Sequence, residues 1–217
     1  MDNLIQTLAI AALPVIFAIT LHEAAHGYVA RHFGDMTAAR AGRISLNPLR
    51  HIDPVGTILV PVMIMLLSSG AMLFGWAKPV PVDFGRLRRP KQDMLWVAAA
   101  GPLSNLLMAF GWALLFKVTQ WLPDTVYTLP LLKMADVGMD VNIALMLLNL
   151  LPIPPLDGGR IMVSLLPLRQ AIAFSRMERF GFPFLLLLLF TGVLSNILWP
   201  LMSGMRYLLA ILFNFEL

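Results

Sequence analysis

The sequence predicts an all-α polytopic membrane protein with about five to six transmembrane helices. Three observations carry this. Of 217 residues, 59% are hydrophobic and 13% charged, about half the roughly 25% charge of soluble domains. Several apolar stretches approach the roughly 20 residues that cross a bilayer. The basic residues gather in loops between those stretches, as the positive-inside rule requires. That placement accounts for the net charge of +4 without a nucleic-acid partner.

The first helix is predicted over about Leu4 to Phe33, with Pro14 inside it as a tolerated kink. It begins with Asp2 rather than a basic region, and no small-residue cleavage site follows. It reads as a retained helix, not a signal peptide. Gly34-Asp35 ends it. From Arg40 to Pro54 the chain is polar, and the alternation in Arg43-Ile44-Ser45-Leu46 predicts a short membrane-associated β-strand. Asn47-Pro48 and Asp53-Pro54 are turns. Residues 55–74 are apolar but interrupted at Leu67-Ser68-Ser69-Gly70. A basic loop follows, with Lys78, Arg86, Arg88, Arg89 and Lys91. Two apolar helices are predicted, over about 94–118 and 137–151. The second leads into Pro152-Ile153-Pro154-Pro155-Leu156-Asp157-Gly158-Gly159-Arg160. The last apolar part, about 180–215, is predicted as two helices, with Trp199-Pro200 near its middle.

Charge then sets a topology. Loops 31–50, 78–91 and 160–179 are basic, whereas 119–136 holds Lys133 against Asp124 and Asp136. The first three share the cytoplasmic side and the last lies outside. Residues 55–74 then enter and leave on one face, as a re-entrant hairpin turning near Ser68-Ser69-Gly70. An ordinary span there would break the charge rule.

One motif stands out inside this framework: His22-Glu23-Ala24-Ala25-His26, at the end of an apolar run. Residues four apart share a helix face, so His22 and His26 can hold one metal ion together. Glu23 projects beside them, placed to move a proton rather than to bind the metal. Ionisable groups at such depth are costly and functional by default. With no cysteine in the chain, thiolate sites and disulfides are excluded. A catalytic zinc has three protein ligands and an open position, and Asp157 is the candidate third. The prolines before it stop the helix, and the glycines after it permit close backbone approach. The topology also places Asp157 and the two histidines at similar depth. A tetrahedral oxyanion formed in peptide hydrolysis needs a further stabiliser. Asn149, Asn142 and Asn105 are amide donors within apolar segments, and Asn149 ranks first by nearness to Asp157. His32 and His51 sit near basic loops and read as interfacial.

These residues resemble the site-2 protease family of intramembrane zinc metalloproteases. His22-Glu23-Ala24-Ala25-His26-Gly27 is similar to the family's zinc-binding helix. The stretch Asn149-Leu150-Leu151-Pro152 through Asp157-Gly158-Gly159 is similar to its second signature. Gly42–Pro48, His51–Gly56, Gly75–Val82 and Gly101-Pro102-Leu103-Ser104-Asn105 resemble a compact prokaryotic branch, without room for a PDZ domain or regulatory modules. The resemblance implies one zinc ion per chain on His22, His26 and Asp157, with Glu23 as the catalytic base. It implies a single domain over 1–217, with a catalytic core at about 4–160 and C-terminal helices at about 180–215. The core helices are the first, the 94–118 and the 137–157 segments.

The protein is then expected in the cytoplasmic membrane, multi-pass, with its active site toward the cytoplasm. Its partners are the bilayer and a transmembrane-helix substrate, cut within or near the membrane; nothing in the sequence sets an oligomeric state. The resemblance implies strands that clamp the unwound substrate; residues 42–47 and 78–82 are the candidate strands, so Ile44, Ser45 and Val80 are substrate-contact candidates, along with Asn105 and Asn142. Two other functions compete. A metal transporter would not need Glu23 and usually shows internal repeats, which the sequence lacks. A catalytically silent scaffold of the same fold would have lost the glutamate or a ligand.

Overall fold

A computed structural model describes residues 2–67 and 75–216. Nine α-helices occur among them: α1 (Asp2–His32), α2 (Thr37–Arg40), α3 (Val60–Leu67), α4 (Pro90–Thr119), α5 (Thr128–Leu150), α6 (Asp157–Leu165), α7 (Leu168–Ser175), α8 (Glu178–Phe190) and α9 (Val193–Phe213). A π-helical turn, Pro54–Leu59, leads into α3. The turn foreseen at Ser68-Ser69-Gly70 lies outside the described residues.

Helices α1, α4 and α5 pack against one another, and the sequence shows why. Each carries a buried stripe at four-residue spacing. On α1 it is Pro14, Ala18 and His22. On α4 it is Gly101, Asn105, Ala109 and Ala113. On α5 Ala135, Gly138, Met139, Asn142 and Met146 are buried. Small side chains at that spacing let helix backbones approach closely in a membrane. Gly138 shows the tightness, because a Cβ there would run into the Trp112 indole. A second cluster joins Ala109 and Ala113 of α4, Met139 and Ile143 of α5, and Leu209 and Ala210 of α9.

The contacts fix directions. His26 meets Val97 and His22 meets Asn105, so α1 and α4 are antiparallel. Asn105 meets Asn142 and Trp112 lies on Gly138, so α4 and α5 are antiparallel. Lys117 Nζ donates to the Asn214 carbonyl, and the Phe116 and Phe215 rings lie 5.0 Å apart. The C-terminal ends of α4 and α9 therefore meet, and α9 runs parallel to α4.

Among the described residues, three helices are long and apolar enough to cross a membrane, over Ala9–His32, Pro90–Thr119 and Val193–Phe213. Two other candidates for the expected five to six fall outside this description. Helix α5 has 23 residues but carries Lys133, Asp136 and Asp140. Helix α8 has 13 residues, about 20 Å, against a hydrocarbon core of about 30 Å. Two C-terminal helices are present as foreseen. They divide at Gly192, whose φ of 73° is left-handed, while Pro200 sits inside α9.

No strand occurs among the described residues. Pro79 and Pro81 lack the N–H groups a ladder would need. Instead the Arg43 guanidinium donates to the carbonyls of Lys78 (2.9 Å) and Pro79 (3.2 Å). Lys78 N donates to His51 O at 2.8 Å. The two segments foreseen as strands are thus joined mainly by a side chain.

Asp35, just past α1, ties that helix to the loop leading into α4. Its carboxylate is fully buried and accepts from Thr37 N (2.9 Å), from the Thr37 hydroxyl and from Asp83 N (2.8 Å). Burial raises its pKa, but these hydrogen bonds and the Arg86 charge outweigh that and hold it below the usual carboxylate value. A depressed folded pKa stabilises the protein above the ordinary value of about 3.9, and the effect is lost as pH falls through the folded pKa. Asp35→Asn is therefore expected to cost about 2 kcal/mol at pH 7. Thermal unfolding in detergent should show the gap to wild type narrowing below about pH 4.

Candidate metal centre

His22 and His26 stand one turn apart on α1, on the face turned to α4 and α5. Asp157 reaches them from the first residue of α6. The chain between α5 and α6 makes this possible by folding tightly back. Ile153 N donates to Leu151 O at 2.7 Å, and Leu156 N to Ile153 O at 2.9 Å. A Cβ on Gly158 would strike the carbonyls of Leu150 and Leu151, and one on Gly159 would lie 2.5 Å from Pro154 N. Only glycines fit behind this aspartate. Asp157 thus belongs to a new helix, not to the end of the 137–157 segment.

His22 Nε2 and His26 Nε2 are 3.2 Å apart, and Asp157 Oδ2 is 3.3 Å from each. The three atoms form a nearly equilateral triangle. A tetrahedral ion about 2.0–2.1 Å from its ligands sets them about 3.3–3.4 Å apart, so the triangle matches one face of such a tetrahedron.

The hydrogen bonds behind the ligands support the same reading. His26 Nδ1 lies 2.7 Å from Val97 O, a group that only accepts, so Nδ1 carries the proton. His22 Nδ1 lies 2.6 Å from Asn105 Oδ1 and is protonated likewise. In the neutral rings both Nε2 atoms then carry bare lone pairs. Two lone pairs and a carboxylate oxygen at 3.3 Å repel one another. Asp157 Oδ2 is buried and receives no hydrogen bond. A cation resolves all three, and the donor set of two imidazoles and a carboxylate suits zinc. This is the one group of three or more potential ligands found among the described residues.

Glu23 faces away from the triangle's backing, toward the loop before α4. Its Oε2 accepts from Val80 N at 2.7 Å. In Pro79-Val80-Pro81 that amide is the sole backbone donor, because the flanking prolines have none. The stretch is therefore a stiff arm with one N–H, and that N–H holds Glu23.

The remaining sequence candidates fall elsewhere. Asn105 and Asn142, foreseen as substrate contacts, are fully buried and lie behind the ligands, where Asn105 orients His22. Asn149 gives Nδ2 to Leu145 O at 3.0 Å, on its own helix. The Ile44 and Val80 side chains flank Gly27, where a Cβ would lie 2.9 Å from Ile44 Cγ1 and 3.2 Å from Val80 Cγ1. Ser45 O accepts from His51 Nε2 at 2.8 Å, and His51 is buried.

Gly101 carried no role in the sequence reading. A Cβ there would lie 2.5 Å from His26 Nε2 and from His22 Cε1, so its missing side chain leaves room for the imidazoles. Its signal was available: Gly101 and Asn105 are four apart on α4, as His22 and His26 are on α1.

Fold and site together define a helical membrane protein with a buried triad of potential metal ligands and a nearby carboxylate. Comparison with known proteins agrees. Residues 117–192 match the model of Peptidase family M50. The chain is 39% identical over 203 residues to the "Putative zinc metalloprotease YwhC" of Bacillus subtilis (strain 168), covering 89% of this chain and 86% of that one. It is 31% identical over 182 residues to the "Putative zinc metalloprotease Rip2" of Mycolicibacterium smegmatis, covering 83% of this chain and 66% of that protein. No solved structure matches. The chain belongs to peptidase family M50, the site-2 protease family.

Gly101→Ala is expected to weaken zinc binding at least 10-fold while the protein stays folded. Zinc titration against a competing chelator, with circular dichroism as the folding check, measures both.

Proposed function

We propose that this chain is an intramembrane zinc metalloendopeptidase, a single domain over 1–217 that hydrolyses peptide bonds within or near transmembrane segments of membrane proteins. His22, His26 and Asp157 hold one zinc ion, and Glu23 is the general base. The observation that carries the reading is the 3.2–3.3 Å triangle of ligand atoms beside a separately tethered glutamate. A metal-transit site has no use for that glutamate.

When bound, the zinc acidifies water and polarises the substrate carbonyl. Glu23 takes the proton from the attacking water and passes it to the leaving amine. Val80 N–H holds one carboxylate oxygen, so the other is aimed. Asn149 has a second amide N–H beyond the one bound to Leu145 O, and it is our candidate donor to the oxyanion. The substrate must unwind, because helical amides are hydrogen-bonded and shielded, so helix-weakening residues near the cut favour cleavage. Val80 of segment 78–82 contacts Glu23 and Ile44 of segment 42–47 lies against Gly27 on the same helix; these two segments are the surface against which an extended substrate is held. The basic loops support a site on the cytoplasmic side of the cell membrane.

The test is cleavage of a single-span reporter by the purified protein in detergent, with zinc content measured in parallel. Wild type cleaves, and Glu23→Gln loses about 10²–10⁴-fold in rate while holding the same zinc. If both bind zinc and neither cleaves a panel of helix-weakened reporters, the proposal fails. Val80→Pro, which removes the N–H on Glu23, should lower kcat far more than Val80→Ala does.

A further inference from the structure

Asn142 lies on α5, fully buried, and touches none of the three ligand atoms. Its environment nonetheless has a direction. Asn142 Nδ2 donates to Gly138 O at 2.8 Å. Asn142 Oδ1 accepts from Asn105 Nδ2 at 3.0 Å. Asn105 Nδ2 also donates to Ala18 O at 3.3 Å, and Asn105 Oδ1 accepts from His22 Nδ1 at 2.6 Å. The two backbone carbonyls can only accept. Each asparagine must therefore turn its NH2 to a carbonyl, and the polarity of the whole chain follows from that. It ends on His22 with the proton on Nδ1 and the lone pair on Nε2.

Reversal shows what the chain prevents. If Asn142 turned its amide over, its NH2 would face Asn105. Asn105 would then turn as well and offer NH2 to His22 Nδ1. The proton would move to His22 Nε2, which could no longer bind a metal.

We propose that Asn142 is a positioning residue for the metal centre, acting through Asn105 to hold His22 in the tautomer that presents Nε2 to the ion. The proposal rests on the reading of His22 as a zinc ligand. It links three helices by one uncharged relay, from the α5 backbone through α4 to α1. Partners behind a metal-bound histidine fix its tautomer and orientation, and their loss typically weakens metal binding 10–100-fold.

The test uses the full chain in detergent, with zinc affinity from chelator competition and the visible spectrum of the cobalt(II) form. Asn105→Leu should bind zinc about 10–100-fold more weakly, and Asn142→Leu about 10-fold. The double variant should be no weaker than Asn105→Leu alone, because Asn142 acts through Asn105. Asn142→Asp should restore affinity, since either protonation form keeps an acceptor toward Asn105; a residue needed only for packing would not be rescued by a buried acid. If Asn142→Leu does not fold, ¹⁵N NMR of the His22 ring in metal-free Asn142→Ala gives the answer: protonated Nδ1 in wild type, a mixture in the variant. Wild-type zinc affinity in Asn142→Leu, or an unchanged tautomer in Asn142→Ala, overturns the relay. Zinc binding that survives His22→Ala overturns the ligand reading instead, so the two failures are distinct.

Discussion

Everything in this structure depends on three helices coming close enough for side chains from two separate segments to meet within 3.3 Å. In lipid there is no hydrophobic force between helices, so close approach must come from van der Waals contact and interhelical hydrogen bonds. The stripes on α1, α4 and α5 supply the first, and the relay through Asn105 supplies the second. Packing and chemistry share positions: His22 continues the stripe of Pro14 and Ala18, and Gly101 begins the stripe of Ala109 and Ala113. The site is therefore set into the helix interface itself.

Burying two imidazoles, two amides and carboxylates in such an interface is costly unless each finds a partner. The partners here are mostly backbone carbonyls, at Ala18, Val97 and Gly138. A carbonyl in a helix keeps a lone pair beyond its own ladder bond, so a helix can orient a side chain without changing its sequence. It can only accept, so it also dictates which nitrogen of the neighbour is protonated. Glu23 receives the complementary treatment from an amide, at Val80, isolated between two prolines. The two histidines are thus oriented by acceptors and Glu23 by a donor, so each keeps its lone pairs or charge directed.

Legibility in the sequence followed the same physics. The His pair and Glu23 were readable because their relation is local, set by the helical repeat. Asp157 was readable because prolines and glycines mark a sharp reversal, although its place at the start of α6 was not. The role of Asn105 was hidden, since it arises only when α1, α4 and α5 converge. The strands failed because alternation in Arg43–Leu46 spoke for one segment, while Pro79 and Pro81 denied it a partner. Local features bear on the helix count: α5 carries charges within its 23 residues, and the two C-terminal helices foreseen divide at Gly192. For α9, Pro200 is tolerated within a helix, as membrane helices allow.

The charges on α5 explain how its rotation is fixed. Asp136 and Asp140 each accept from Arg206 of α9 at 2.7 Å. Gly138 and Asn142 stand two residues on from them, about 200° around the helix, and face α4. Helix α5 is held on opposite sides at the same level, by α9 through charge and by α4 through the amide relay. Neither hold alone sets its rotation, because a lone salt bridge between long side chains tolerates turning and a small-residue stripe tolerates sliding. Together they leave one register, in which Asn142 meets Asn105 and the chain leaving α5 delivers Asp157 to the histidines. The Arg206 clasp is remote from the ligands, yet it sits two residues from the relay that orients one of them. Helix α9 is thereby part of the scaffold that holds His22, His26 and Asp157 together.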